Sequence, residues 1–305
     1  MVALVRRTSD LHFLEGLPLA LVYADLAEPG PIDLPADLDY VIHAAALASE
    51  AASRDEALRH AHDTTQNLLR ALDARGVRLK RFIYISSALV LGHRSTAISE
   101  ENPGQPARGV LAYVRAKEAT ERLLRQQFRD EGLPLIILRP TDVYGPNDRT
   151  VSQRILRAIE GGWPLIVGSG RRTTSICAVE NVAQACHLAC RMRGRDGAAY
   201  TLTNGAEITW RELLGFFQDR LGRPQRLYLP LAAAYALAFG MQLAHALGVK
   251  VPLASFYPVA RVARDTSYDI SRTRAELGYE PEHDLDRQLG EVVGWYLAEK
   301  ARPAA

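Results

Sequence analysis

The feature that most constrains this chain is a rhythm: through its first two thirds, short apolar runs alternate with longer amphipathic stretches. Short runs rich in β-branched residues read as strands and the longer stretches as helices. Alternation of this kind buries a parallel sheet between two layers of helices. Val2–Val5 and Tyr40–Ala46 are the first strand candidates, and a helical pattern from about Ser53 to Arg75 stops at Gly76, a favourable residue just past a helix end. Arg81–Ser86 (RFIYIS) is the next strand, followed by a polar loop holding Pro103, Gly104 and Pro106. A helix from about Val110 to Asp130 ends near Gly132, and Leu135–Leu138 forms a buried strand closed by Arg139 and Pro140. The expected fold class is therefore α/β, with a doubly wound parallel sheet.

Beyond Pro146 the rhythm loosens into helices near Ser152–Glu160, Asn181–Met192, Trp210–Leu221 and Leu285–Lys300, with short strands such as Tyr200–Thr203 between them. The expected division is a nucleotide-binding part over 1–150 and a smaller, mostly helical substrate lobe over 151–305. Segments at about 176–203 return to the first part. A length of 305 residues with 48% hydrophobic and 24% charged residues suits a globular chain, and a net charge of +2 gives no global field for nucleic acid. Cys177, Cys186 and Cys190 have no paired spacing and read as thiols of a reducing compartment; CxxxC beside His187 lacks the second ligand pair of a metal site, so no metal is expected. The apolar stretch in MVALVRRTSD is too short for a signal peptide, which points to the cytoplasm. Leu231–Val249 is nineteen residues without a formal charge, but Ala-rich and interrupted by Gln242, His245 and two glycines. It reads as a soluble helix, with a peripheral membrane contact as the sharper alternative.

Tyr113 and Lys117 form a Y-x-x-x-K at the start of the helix that follows Ser86-Ser87. Four residues make slightly more than one helical turn, so the two side chains share a face. A phenol with an ordinary pKa near 10 is a poor proton carrier at neutral pH, and an adjacent ammonium favours its phenolate. A serine hydroxyl can then orient a substrate oxygen while the tyrosine passes the proton, which suits hydride transfer to or from a carbonyl.

Taken in order, DYVIHAAA, RFIYISSALVLG, YVRAKEATE, LRPTDVYGP, AVENVAQA and YDISRTRAELGYEP make the chain similar to the extended short-chain dehydrogenase/reductase family, also called the NAD-dependent epimerase/dehydratase family. The resemblance runs from about residue 2 to about 290. It implies a Rossmann-like fold, Ser87 as the substrate-orienting hydroxyl, Tyr113 as the acid–base, and Lys117 as the residue that holds the nicotinamide ribose and tunes Tyr113. It also implies cofactor contacts from Asp25 and Leu26, from Ala44, Ala45 and Ala46 where the backbone passes the dinucleotide, and from Pro140 and Val143. Asp25 has a second reading as a simple turn residue. Arg6, after the strand Val2–Val5, stands where NAD-specific members carry an acid; an arginine there pairs with a 2′-phosphate, so NADP(H) is expected over NAD(H), the alternative being a solvated basic turn. A homodimer through the Tyr113 helix and the preceding helix is likewise what the resemblance implies.

Several positions depart from the family. No strand followed by G-x-x-G-x-x-G is present, and Gly168-Ser169-Gly170 reads as an ordinary loop. Met1 begins on what resembles the second strand, so the doubly wound sheet is expected to be N-terminally incomplete, by roughly thirty residues or one β-α unit. The expectation is a start further upstream, or a chain that binds dinucleotide poorly. Ala61 replaces the first Asn of an N-x-x-G-T-x-N pattern that continues with Thr64, Thr65 and Asn67, and Leu91 stands where many nucleotide-sugar enzymes have Tyr. Thr174-Ser175-Ile176-Cys177 lacks their Arg-Asp pair, while AVENVAQA and the apolar segment look more like the 3β-hydroxysteroid dehydrogenase and dihydroflavonol reductase branches. The expected activity is interconversion of a secondary alcohol and a ketone on an apolar small molecule. A nucleotide-sugar epimerase or dehydratase and a catalytically silent dinucleotide-fold protein are the alternatives.

Overall fold

The computed structural model describes residues 1–45, 54–107, 112–149, 151–163, 166–223, 228–247 and 257–302. Ala46, and the predicted segment ends at Ser53, Val110 and Val249, lie outside them. The chain divides into two compact units, the first made of Met1–Ser86, Leu111–Ile137 and Ala189–Ala199, the second of the remainder.

In the first unit, β1 (Val2–Val5) and β2 (Ala20–Tyr23) pair in parallel with Val2 opposite Ala20. β3 (Tyr40–His43) leads towards α1 (Arg54–Ala74), and β4 (Arg81–Ile85) returns parallel to β3 with Tyr40 opposite Arg81. α1 stops where expected: Gly76 takes a left-handed φ of +62°, and Gly76 N and Val77 N donate to the carbonyls of Asp73 and Leu72. α2 (Ala112–Glu131) then leads to β5 (Leu135–Pro140). The unpatterned apolar run of β4 reflects burial on both faces, because Phe82, Ile83 and Tyr84 are all 2% exposed or less. Arg81 is tolerated in that strand because its guanidinium pairs with the Asp196 carboxylate and donates to the Met192 carbonyl. Phe82 and Tyr84 join Leu68, Leu72, Leu124 and Ile137 in the core of this unit.

The second unit carries β6 (Asp142–Tyr144), α3 (Ser152–Glu160), β7 (Ile166–Val167) and β8 (Thr173–Ala178), followed by α4 (Val179–Arg191) and β9 (Ala199–Leu202). Next come β10 (Glu207–Thr209), α5 (Trp210–Arg220), β11 (Tyr228–Leu229), α6 (Leu231–Ala246), α7 (Tyr257–Val262), α8 (Ser271–Leu277) and α9 (Leu285–Ala301). β5, α4 and β9 each run across the division between units. One sheet has the order β3-β4-β5-β9, β8 lies between antiparallel β10 and parallel β6, and β11 pairs with β7. The whole is a Rossmann-like α/β fold, as the strand–helix rhythm predicts.

Two features of the second unit bear on its rigidity. Asn204, 1% exposed, accepts from Ala178 N and Asn181 Nδ2 and donates to the Tyr144 hydroxyl and Gln288 Oε1. Asn181 in turn exchanges bonds with the backbone of Glu282, so β6, α4 and α9 are tied through one buried polar network. The loop after Ser87 crosses its own return segment at Gly92 and Gly104. A Cβ on Gly92, whose φ is +102°, would lie 2.6 Å from the Gly104 carbonyl carbon, and one on Gly104 would lie 2.7 Å from His93 N.

α6 keeps Ala234 and Ala238 buried while exposing Leu237, Phe239 and Leu243. Among the described residues no helix is long and apolar enough to cross a membrane. The three cysteines form no disulfide, and no cluster of three or more His, Cys, Asp or Glu able to hold a metal is found among the described residues.

Candidate active site

Half of the buried positions of α2 are polar: Lys117, Thr120 and Glu121 lie between Val114 and Ala116 on one side and Leu124 on the other. The Y-x-x-x-K spacing does what helical geometry requires. Lys117 Nζ lies 5.7 Å from the centre of the Tyr113 ring and 4.9 Å from that of Tyr84 on β4. The ammonium donates to the Ile85 carbonyl at 2.6 Å, at the end of β4. Lys117 is 4% exposed, and this burial pulls its pKa from the usual 10.5 down to about 8, with Glu121 acting in the opposite direction.

Beneath the lysine, His43 at the end of β3 is also buried, and burial, reinforced by the Lys117 charge, holds it down to about 4 and therefore neutral at physiological pH. Its Nε2 lies 3.0 Å from the Thr65 hydroxyl, whose single hydrogen goes to the Ala61 carbonyl at 2.9 Å. Thr65 must accept from His43, which fixes the Nε2–H tautomer. Next to Ile85, the Ser86 hydroxyl donates to Glu121 Oε1 at 2.6 Å in a buried contact.

A small pocket opens among these groups, lined by Tyr84, Tyr113, Lys117, Thr65, Thr120 and the small residues Ala45, Ala57, Ala61 and Ala116. Tyr113, Lys117 and Ala45 thus meet at one cavity, with Ala44 exposed beside Ala45. Ser87 follows Ser86 directly, belongs to the second unit and caps the short 3-10 helix Ala88–Leu91, its hydroxyl accepting from Leu89 N. Asp25 Oδ1 accepts from Ala27 N in a turn, and Asn67 Nδ2 holds that turn through the carbonyl of buried Leu26. Arg6 is exposed just past β1, and the neighbouring Arg7 stacks over Tyr23. Pro140 is buried at the end of β5, and Val143 on β6 is exposed.

The sequence alone assigns no role to His43, Tyr84 or Glu121, and places Thr65 only within the N-x-x-G-T-x-N match. Glu121 had a readable signal, because it falls four residues after Lys117 and eight after Tyr113 on one helical face. His43 and Thr65 had none, since their pairing joins β3 to α1 across a separation of 22 residues.

Partly buried Tyr113 and buried Lys117 thus share one face of α2 beside the end of β4, in an α/β fold of parallel strands. Residues 1–202 match the NAD dependent epimerase/dehydratase family, and the chain belongs to that family. It is 32% identical over 253 residues to the 4-hydroxy-2-methyl-3-oxo-4-farnesyl-3,4-dihydroquinoline-1-oxide ketoreductase of Stigmatella aurantiaca, covering 80% of this chain and 73% of the relative. It is 25% identical over 242 residues to the 3 beta-hydroxysteroid dehydrogenase/Delta 5→4-isomerase of Mycobacterium tuberculosis, covering 77% and 65%. The chain spans 54% to 73% of the length of the first curated relatives it matches. Among solved structures it is similar to RMD from Pseudomonas aeruginosa complexed with NADPH, with a TM-score of 0.69 and 23% identity over 94% of this chain and 93% of the other. It is also similar to UDP-glucuronic acid 4-epimerase from Bacillus cereus in complex with NAD, with a TM-score of 0.72 and 20% identity over 95% and 84%. At such identities the structural likeness is one of fold.

Proposed function

We propose that the protein is an NAD(P)-dependent oxidoreductase that interconverts a secondary alcohol and a ketone on an apolar small molecule. The observation that carries this reading is the Lys117 ammonium, buried against the Tyr113 ring and held to the Ile85 carbonyl at 2.6 Å. A buried charge without a task would be costly, and here it faces an ionisable phenol across a pocket. The donor set and the cavity fit the ribose end of a nicotinamide dinucleotide: a cationic donor and a phenol face small side chains at Ala45, Ala57 and Ala61. Lys117 would hold the ribose, Ala44 and Ala45 leave room for the backbone to approach it, and Asp25 and Leu26 would meet the adenine. The bound nicotinamide would supply or accept the hydride.

Tyr113 gives or takes the proton at the substrate oxygen, with the Lys117 charge favouring its release. Ser87 orients that oxygen through its hydroxyl. Support for an apolar substrate comes from the ketoreductase and hydroxysteroid dehydrogenase relatives, which are named for a farnesylated quinoline and for a steroid. Preference for NADP(H) rests on Arg6, whose exposed guanidinium past β1 suits a 2′-phosphate.

The reading is tested by reduction of a panel of apolar cyclic ketones with NADPH and NADH. Tyr113→Phe is expected to lower kcat by about 10²- to 10⁴-fold with the melting temperature preserved. Full turnover by this variant would overturn the assigned chemistry, as would a folded protein that binds neither dinucleotide. Turnover of a UDP-sugar in place of any ketone would overturn the substrate class.

A further inference from the structure

One of the buried polar groups of α2 has no part in the proton transfer proposed above. Glu121 is 5% exposed, and its Oε1 accepts from the hydroxyl of Ser86, itself 2% exposed. A carboxylate withdrawn from water needs a positive partner or firm donors, otherwise it takes up a proton. Lys117 lies one helical turn back along the same buried face and is withdrawn from water in the same way. The end of β4 grips both: the Ile85 carbonyl accepts from the ammonium, and the next residue, Ser86, donates to the carboxylate.

We infer that Ser86 and Glu121 together form the counter-charge of Lys117, with Glu121 a positioning residue that acts on proton transfer at Tyr113 through the ammonium. This rests on the Tyr113–Lys117 reading. The other groups facing the ammonium cannot supply the charge. β3 brings His43, whose protonated form would repel it; β4 brings Tyr84, whose phenol burial keeps neutral. Among the described residues α1 brings the uncharged Ala57, Ala61 and Thr65 to the cavity, and α2 brings Tyr113 to it, with Glu121 buried further along the same helix. Burial disfavours the charged lysine, and Glu121 is the group that opposes it. The Ser86 hydroxyl holds one oxygen of that carboxylate in the buried face.

The chain has four lysines, Lys80, Lys117, Lys250 and Lys300, which makes a titration of ¹³Cε-labelled lysine by NMR tractable, with Lys117→Met assigning the signal. In Glu121→Gln, which keeps an acceptor for Ser86 but removes the charge, the Lys117 midpoint is expected to fall by about one pH unit. The alkaline limb of kcat should move down with it. An unchanged Lys117 midpoint would overturn the inference whatever the activity. Should Glu121→Gln fail to fold, Ser86→Ala is read in the same way: a smaller downward shift is expected, and no shift overturns it. Because the titration needs no turnover, its outcome is separate from that of Tyr113→Phe, which tests the underlying chemistry.

Discussion

His43 shows how one buried side chain writes a pH dependence into the fold. Burial and the Lys117 charge lower its pKa from 6.5 to about 4, so between those values the unfolded chain binds a proton that the folded chain refuses. Its contribution to stability is present above pH 6.5 and is lost as the pH falls towards 4, amounting to about 3 kcal/mol. Urea unfolding measured at pH 7 and pH 5 should show about 2 kcal/mol of this loss, and His43→Gln, which can still donate to Thr65, should flatten it. Equal slopes in the two proteins would mean that His43 titrates in the native state near its ordinary value. At the same scale, Arg6→Ala is expected to weaken NADPH binding by about tenfold, leaving NADH unchanged, when each is titrated by fluorescence. Equal losses for both would place Arg6 away from any 2′-phosphate.

Between elements, the polar network centred on Asn204 explains why a tyrosine in LRPTDVYGP and an asparagine in AVENVAQA stand far apart in sequence but close in space. Asn204→Ala would leave buried Ala178 N without its acceptor and the Asn181 amide with the Glu282 carbonyl alone. The expected cost is about 3 kcal/mol, read from the shift in urea midpoint. Strands and helices with strong local patterns were legible: β1, β4, α1, α2, α3 and α5 lie within a few residues of their expected places. Strand ends were not, because RFIYIS and YVIHAAA stay apolar or small past the strand ends at Ile85 and His43. β2 was passed over although Ala20–Tyr23 is an apolar run, since four residues beside Pro18 carry too little pattern to separate strand from turn. The Tyr113–Lys117 pair was readable because one helix sets its geometry; the Ser86–Glu121 bond was not, since it depends on how α2 lies against β4.

For the molecule as a whole, a near-neutral net charge of +2 means that the negative charge of a dinucleotide would be met by local groups such as Arg6 and Lys117, with no broad field to draw it in. A ligand that binds only the native state raises its stability, by about 2.7 kcal/mol at one hundred times Kd. NADPH should therefore raise the melting temperature, and the rise should shrink in high salt if the 2′-phosphate contact is electrostatic. The crossing of Gly92 and Gly104 has a consequence for how such a protein can change over generations. At either position the atoms in the way are largely main-chain atoms, which no second substitution can trim, so a damaging change at one glycine has no rescuing partner at the other. Selection for new substrates would have to explore the side chains on either side of this knot, Leu89 to Leu91 and Gln105, and would return the two glycines unaltered from every round.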